Sequence, residues 1–169
     1  VRLEPFSASD ERAVREQLGR PPRAVAGVAH RCPCGLPDVL ATLPQLPTGE
    51  PFPTMLYATC PRLNAALSTL EADGFMRAQA ARLAAEPAVA DAYRAAHLRY
   101  LDQRSTLAPV PAAIAQVSAG GMPDRVKCLH ALVAQSLAEG PGGNPVGDAA
   151  VEAVGPWWTA GPCAVGEDR

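Results

Sequence analysis

A single α+β domain, mostly helical with a small sheet, is what this sequence predicts, and three observations predict it. The chain has 169 residues, 48% of them hydrophobic, enough for one core that buries about two thirds of the unfolded surface. Short runs with strand character are confined to residues 23–59. From residue 61 to residue 154, apolar residues recur at helical spacing between proline and glycine stops. The expected layout is a domain over residues 1–156 with a two- or three-stranded sheet, followed by a C-terminal tail over 157–169, in which Trp157 and Trp158 pack down the final helix and the last residues are loose.

The elements follow in order. Ser9, Asp10 and Glu11 read as a helix start, with Gly19 and Pro21-Pro22 as its stop. Residues 23–31 and 39–43 read as strands, and 44–53, dense in proline and glycine, as a loop. Thr54-Met55-Leu56-Tyr57-Ala58-Thr59 is the strongest strand signal in the chain. Pro61 then suits the first turn of a helix that carries Leu63, Leu67 and Leu70 to Gly74. Residues 75–85 and 87–104 continue as helices. His97, spaced with Tyr93 and Tyr100, reads as packing. Residues 107–121 form a connection with a short helix near 112–117. Residues 123–137 carry Val126, Leu129, Val133 and Leu137 on one helical face. Asn144-Pro145 reads as a turn, and 148–154 as a final helix.

Composition removes several functions. The net charge of −2 gives no electrostatic footprint for nucleic acid or an anionic membrane. No apolar run reaches the roughly 20 residues that cross a bilayer. The first residues lack the basic-then-apolar order of a signal peptide. A cytoplasmic protein is the expectation, and the sequence leaves its oligomeric state open. Five cysteines, in a chain too long to need stapling, point to ligands, nucleophiles or packing rather than disulfides.

The thiols stand in unusual company. Cys32 and Cys34 lie in His30-Arg31-Cys32-Pro33-Cys34-Gly35-Leu36-Pro37, where the chain must turn out of a strand. Cys60 sits at a strand-to-helix junction, where the helix dipole favours thiolate. Cys128 lies in Lys127-Cys128-Leu129-His130. On a regular helix Cys128 and His130 project about 200° apart, so only one of them would bind a given ion. Proline after a thiol, as in two of these segments, is common at iron–sulfur ligands. A site of Cys32, Cys60 and Cys128 with an open fourth position follows. If Cys34 or His130 completes it, the site is closed and structural. Buried packing explains any single thiol as well. Cys163, in a Gly-Pro tail, reads as incidental.

Arg31, Arg62 and Lys127, the only lysine, each adjoin a thiol and are candidates for steadying thiolate or an anionic substrate. Each also reads as a solvated surface charge. Glu71 is a possible base that nothing in the sequence places near the thiols. A cysteine nucleophile needs a base in reach, and only His30 and His130 would serve.

Four segments, His30 to Pro37, Pro51-Phe52-Pro53-Thr54 with Thr59-Cys60-Pro61, Lys127-Cys128-Leu129-His130 and Asn144-Pro145-Val146-Gly147, together resemble the bacterial domain-of-unknown-function family 501. The resemblance runs over residues 20–154. It implies anchor positions at Cys32, Cys60, Cys128 and His130, with Cys34 matching only part of the family, and it supplies no activity.

Three functions are consistent with these residues. The leading one is a [4Fe–4S] metalloprotein held by Cys32, Cys60 and Cys128, acting on a small molecule as a non-redox lyase or desulfidase by Lewis-acid binding. The second is an interaction module with a structural zinc. The third is a metal-free enzyme with Cys60 or Cys32 as nucleophile; His130, Lys127, Arg31 and Arg62 are the catalytic candidates.

Overall fold

In the computed structural model, which describes residues 1–164, α1 (Ala8–Leu18) precedes β1 (Val25–Arg31), β2 (Pro37–Thr42) and β3 (Leu56–Ala58). Five further helices follow: α2 (Pro61–Ala72), α3 (Phe75–Ala85), α4 (Pro87–Leu107), α5 (Leu129–Glu139) and α6 (Pro145–Val154). A single 3-10 turn, Ala112–Ile114, lies between α4 and α5. The domain is therefore α+β and mostly helical, with a three-stranded antiparallel sheet in the order β1-β2-β3.

The sheet is two-faced. Val28 and Leu40 meet Val14 of α1 on one side. Val39, Ala41, Leu56 and Ala58 face the larger core, built with Leu63, Leu67, Tyr93, Leu129, Leu132 and Val146. All six residues of β2 are buried, as a central strand covered on both faces requires. β3 is shorter than its sequence signal. The ladder stops at Met55 because, although Thr42 N–H still bonds to Met55 O, Met55 N–H donates to the Tyr100 hydroxyl instead of returning to β2.

Several local expectations shift. Ser7, not Ser9, caps α1: its hydroxyl accepts from Asp10 N–H, and the Asp10 carboxylate accepts from Ser7 N–H in return, a reciprocal capping box. α6 starts three residues earlier than expected, since Asn144 is its cap and Pro145 its first residue. The Asn144 carboxamide oxygen accepts from Val146 and Gly147 N–H. Asn-Pro thus marks a helix start here rather than a turn.

The largest correction concerns residues 123–128. They do not belong to α5. Gly120 and Gly121 take positive φ, and their carbonyls accept from Lys127 and Arg125 N–H, closing an irregular loop that delivers Cys128 to the start of α5.

The C-terminal segment is described as far as residue 164. Trp157 and Cys163 pack against the main core, and Arg62 donates to Gly161 O. Residues 165–169, the last residues expected to be loose, lie outside the described residues. No helix among the described residues is long and apolar enough to cross a membrane.

Candidate metal centre

Cys128 is extended, at φ −154° and ψ 112°, and α5 begins one residue later. The helical rule that sets residues 128 and 130 on opposite sides therefore does not apply, and the sequence inference that they cannot share an ion is overturned. The Cys128 thiol turns back over the first turn, and its Sγ lies 3.8 Å from His130 Nδ1.

The third member comes from α2. Asn64 and Glu71 are seven residues apart, two turns along one helix face. The Glu71 carboxylate accepts from Leu129 N–H at 2.7 Å. It supplies the α5 start with the cap that Cys128 does not give, and it is well placed at the positive end of the dipole. Its Oε1 is 3.3 Å from His130 Nδ1. On the far side of the ring, Nε2 is 3.2 Å from Asn64 O. That carbonyl only accepts, so Nε2 carries a hydrogen, and Nδ1 faces Cys128 and Glu71, donating to thiolate and carboxylate when the ring is charged and offering its lone pair to an ion when it is neutral.

Ligand atoms of Glu71, Cys128 and His130 all lie within 4.8 Å of one another, the one such group of three or more among the described residues. Sulfur, imidazole nitrogen and carboxylate oxygen form a zinc-type donor set, and three protein ligands leave a fourth position open. A ligating histidine whose other N–H is held by a backbone carbonyl has its tautomer fixed for metal binding. The electrostatics agree. The hydrogen bond to His130 is the main influence lowering the Cys128 thiol pKa, and the Cys128 sulfur raises that of the imidazole.

A cleft of about 290 Å³ opens beside the group, lined by Thr54, Leu56, Tyr57, Ala58, Asn64 and Ala131 along with Cys128 and His130. Asn64 Nδ2 is committed to Ala58 O. Its Oδ1 is buried without a hydrogen-bond partner.

The other sequence candidates go elsewhere. Cys32 and Cys60 are buried and stand with Cys34 and Cys163, while Cys128 keeps company with His130 and Glu71. Arg31 donates to both Asp10 carboxylate oxygens, at 2.7 and 3.1 Å, and to Glu4 at 2.6 Å. Arg62 is spent on Gly161 O. The expectation of three cations around one site is corrected accordingly: two of them hold the fold together. Lys127 is tied by its backbone to Gly120. His30 Nδ1 pairs with the fully buried Asp38 at 2.7 Å, away from Cys128. His97 is buried against Ser118, as a packing role requires.

Glu71 and Cys163 are what sequence reasoning undervalued. Nothing in the sequence ties the end of α2 to the start of α5. Cys163 did carry a signal, since it is a further thiol flanked by proline.

No curated protein and no solved structure matches the chain. Over residues 28–152, which include Glu71, Cys128 and His130, it matches the family model for a protein of unknown function, DUF501, and the chain belongs to that family.

Proposed function

We propose that the protein is a metalloprotein in which Glu71, Cys128 and His130 hold one divalent ion, zinc by the donor set, with the fourth position directed to a small-molecule substrate or water. The observation that carries this reading is the group itself: three unlike ligand atoms from two elements within 4.8 Å. An ion held this way polarises a bound carbonyl or lowers the pKa of bound water, which gives Lewis-acid or hydrolytic chemistry. The adjoining cleft, about 290 Å³, suits a small substrate. The [4Fe–4S] site expected at Cys32, Cys60 and Cys128 has less support, because the partners of Cys128 are His130 and Glu71.

The test is the zinc content of the full chain after equilibration with zinc and desalting. Cys128→Ser, His130→Ala and Glu71→Gln should each lower it by one equivalent, and Cys163→Ser should leave that equivalent in place. Unchanged zinc in all three variants would overturn the proposal.

One observation favours a second reading. The Cys128 thiol, its pKa lowered by His130, also suits a metal-free nucleophile with His130 as base. That reading predicts rapid alkylation of Cys128 in wild-type protein, unaffected by zinc. The metal reading predicts that zinc protects it.

A further inference from the structure

Three proline-flanked thiol segments meet at one carbonyl, away from the centre just described. Pro37 O accepts from Gln17 Nε2 at 2.9 Å and from the Thr59 hydroxyl at 3.2 Å. The same Gln17 Nε2 lies 3.2 Å from Cys163 Sγ. The end of α1, the turn before β2, the junction between β3 and α2, and the C-terminal segment are thereby stitched together. Each of the last three brings thiols: Cys32 and Cys34, Cys60, and Cys163.

Local structure aims them. Cys32 N–H bonds to Leu36 O and Gly35 N–H to Cys32 O, with Gly35 at φ 88°, a tight turn that folds Cys34 back beside Cys32. Cys60 is the cap residue of α2. Arg62, one residue into that helix, holds Gly161 and so keeps Cys163 over the helix start. Prolines 33, 61 and 162 adjoin all four thiols and remove backbone donors that would compete for sulfur.

The thiols form two pairs. Cys32 and Cys34 stand close enough to influence each other, as do Cys60 and Cys163, and Cys60 also feels the charge of Cys32. No three of them join a group within 4.8 Å, since Glu71, Cys128 and His130 are the one such group among the described residues. The set is therefore too wide for a single tetrahedral ion. Two close pairs suit two irons bridged by sulfide, each iron taking two thiolates.

We propose that Cys32, Cys34, Cys60 and Cys163 bind a [2Fe–2S] cluster, one iron on the Cys32–Cys34 pair and the other on the Cys60–Cys163 pair. Two ferric ions and two sulfides combine with four thiols, and four protons leave to solvent; no electron is transferred. The start of α2 faces the negative cluster with its positive dipole end.

The proposal goes beyond the zinc reading and stands apart from it. The test is to reduce the full chain under argon, incubate it with ferric iron and sulfide, desalt it, and measure iron, acid-labile sulfide and the visible spectrum. Two irons and two sulfides per chain are expected, with charge-transfer absorbance beyond about 400 nm. Cys34→Ser and Cys163→Ser, at half-buried positions that keep the fold, should each lower retained iron at least tenfold, with native circular dichroism as the control. Cys128→Ser should lose zinc and keep the cluster. Undiminished iron in Cys163→Ser, four irons per chain, or a Cys60–Cys163 disulfide in place of iron would each overturn the assignment.

Discussion

Asp10 is 6% exposed, and the Arg31 guanidinium donates to both of its carboxylate oxygens. Those bonds, with the N–H and hydroxyl of Ser7, outweigh burial and hold Asp10 down at about 2, from 3.8. A carboxylate whose folded pKa lies below its unfolded value stabilises the fold at pH above the unfolded pKa. That contribution is lost as pH falls from about 4 through about 2. The shift converts to about 2 kcal/mol. Because the Arg31 side chain is 30% exposed, a figure on the order of 1–2 kcal/mol is appropriate. Arg31→Gln should therefore destabilise the protein by that amount at pH 7 and by only a small fraction of it at pH 2, where Asp10 is half protonated, as read from urea unfolding at the two values. Equal destabilisation at both would assign the loss to packing instead. Arg31 illustrates what a sequence hides at this scale. Its neighbour in the chain is Cys32, but its partners are 21 and 27 residues away, and only the folding of α1 across β1 brings them near. Cys163 is the converse case, 146 residues from Gln17 in sequence and 3.2 Å from it in space.

Most elements were legible because their stop signals are local: Gly19 ends α1, Pro61 opens α2, and Pro87 opens α4. The element that matters most for function was misread because its signal is not local. Val126, Leu129, Val133 and Leu137 satisfy the helical period, yet α5 starts only at Leu129, where a carboxylate of α2 caps it. Periodicity reports burial and carries no information on a cap supplied by another helix. Moving the helix start by six residues changes Cys128 from a helical residue facing away from His130 into its partner. α4 shows another element held by distant partners. Arg104 is fully buried and donates to Pro53, Ile114 and Val117 carbonyls, pinning two loops to the helix. Arg104→Met keeps much of the volume and takes the partner from Val117 O, while Pro53 O keeps the Tyr100 hydroxyl and Ile114 O keeps Val117 N–H. It should cost about 1–3 kcal/mol, the range for one buried group left unsatisfied. Calorimetry or urea unfolding gives the value, and a loss under about 1 kcal/mol would mean that the carbonyl finds water. Gly147 sets the close approach of α6 to α5, where a Cβ would overlap Leu132 O and Ser136 Oγ. Gly147→Ala should therefore push the two helices apart and lower stability by about 1–3 kcal/mol.

At the scale of the whole molecule, the proposed zinc centre joins the two elements that organise the core. α5 packs on α6, β3 and α2, and the centre spans α2 and α5 at the start of the latter. In the unfolded chain Glu71 and Cys128 are 57 residues apart, so only the folded state presents all three ligands together. A ligand that binds only the folded state stabilises it by RT ln(1 + [L]/Kd), about 2.7 kcal/mol at a hundredfold excess over Kd. For a chain of this size each kcal/mol moves the unfolding midpoint by about 2–4 °C. Zinc at that excess should therefore raise Tm by about 5–11 °C in the wild-type protein. The rise should persist in Cys34→Ser, whose thiol belongs to the other group, and vanish in Cys128→Ser. Glu71→Gln is the more informative variant. The amide still has a carbonyl oxygen to accept from Leu129 N–H, so the α5 cap survives, while the anionic ligand is gone. If Glu71 acts mainly as the cap, Glu71→Gln will keep the zinc-induced rise. If it is a ligand, the metal-free Tm will stay near that of the wild-type protein and the rise will shrink to a fraction of its size.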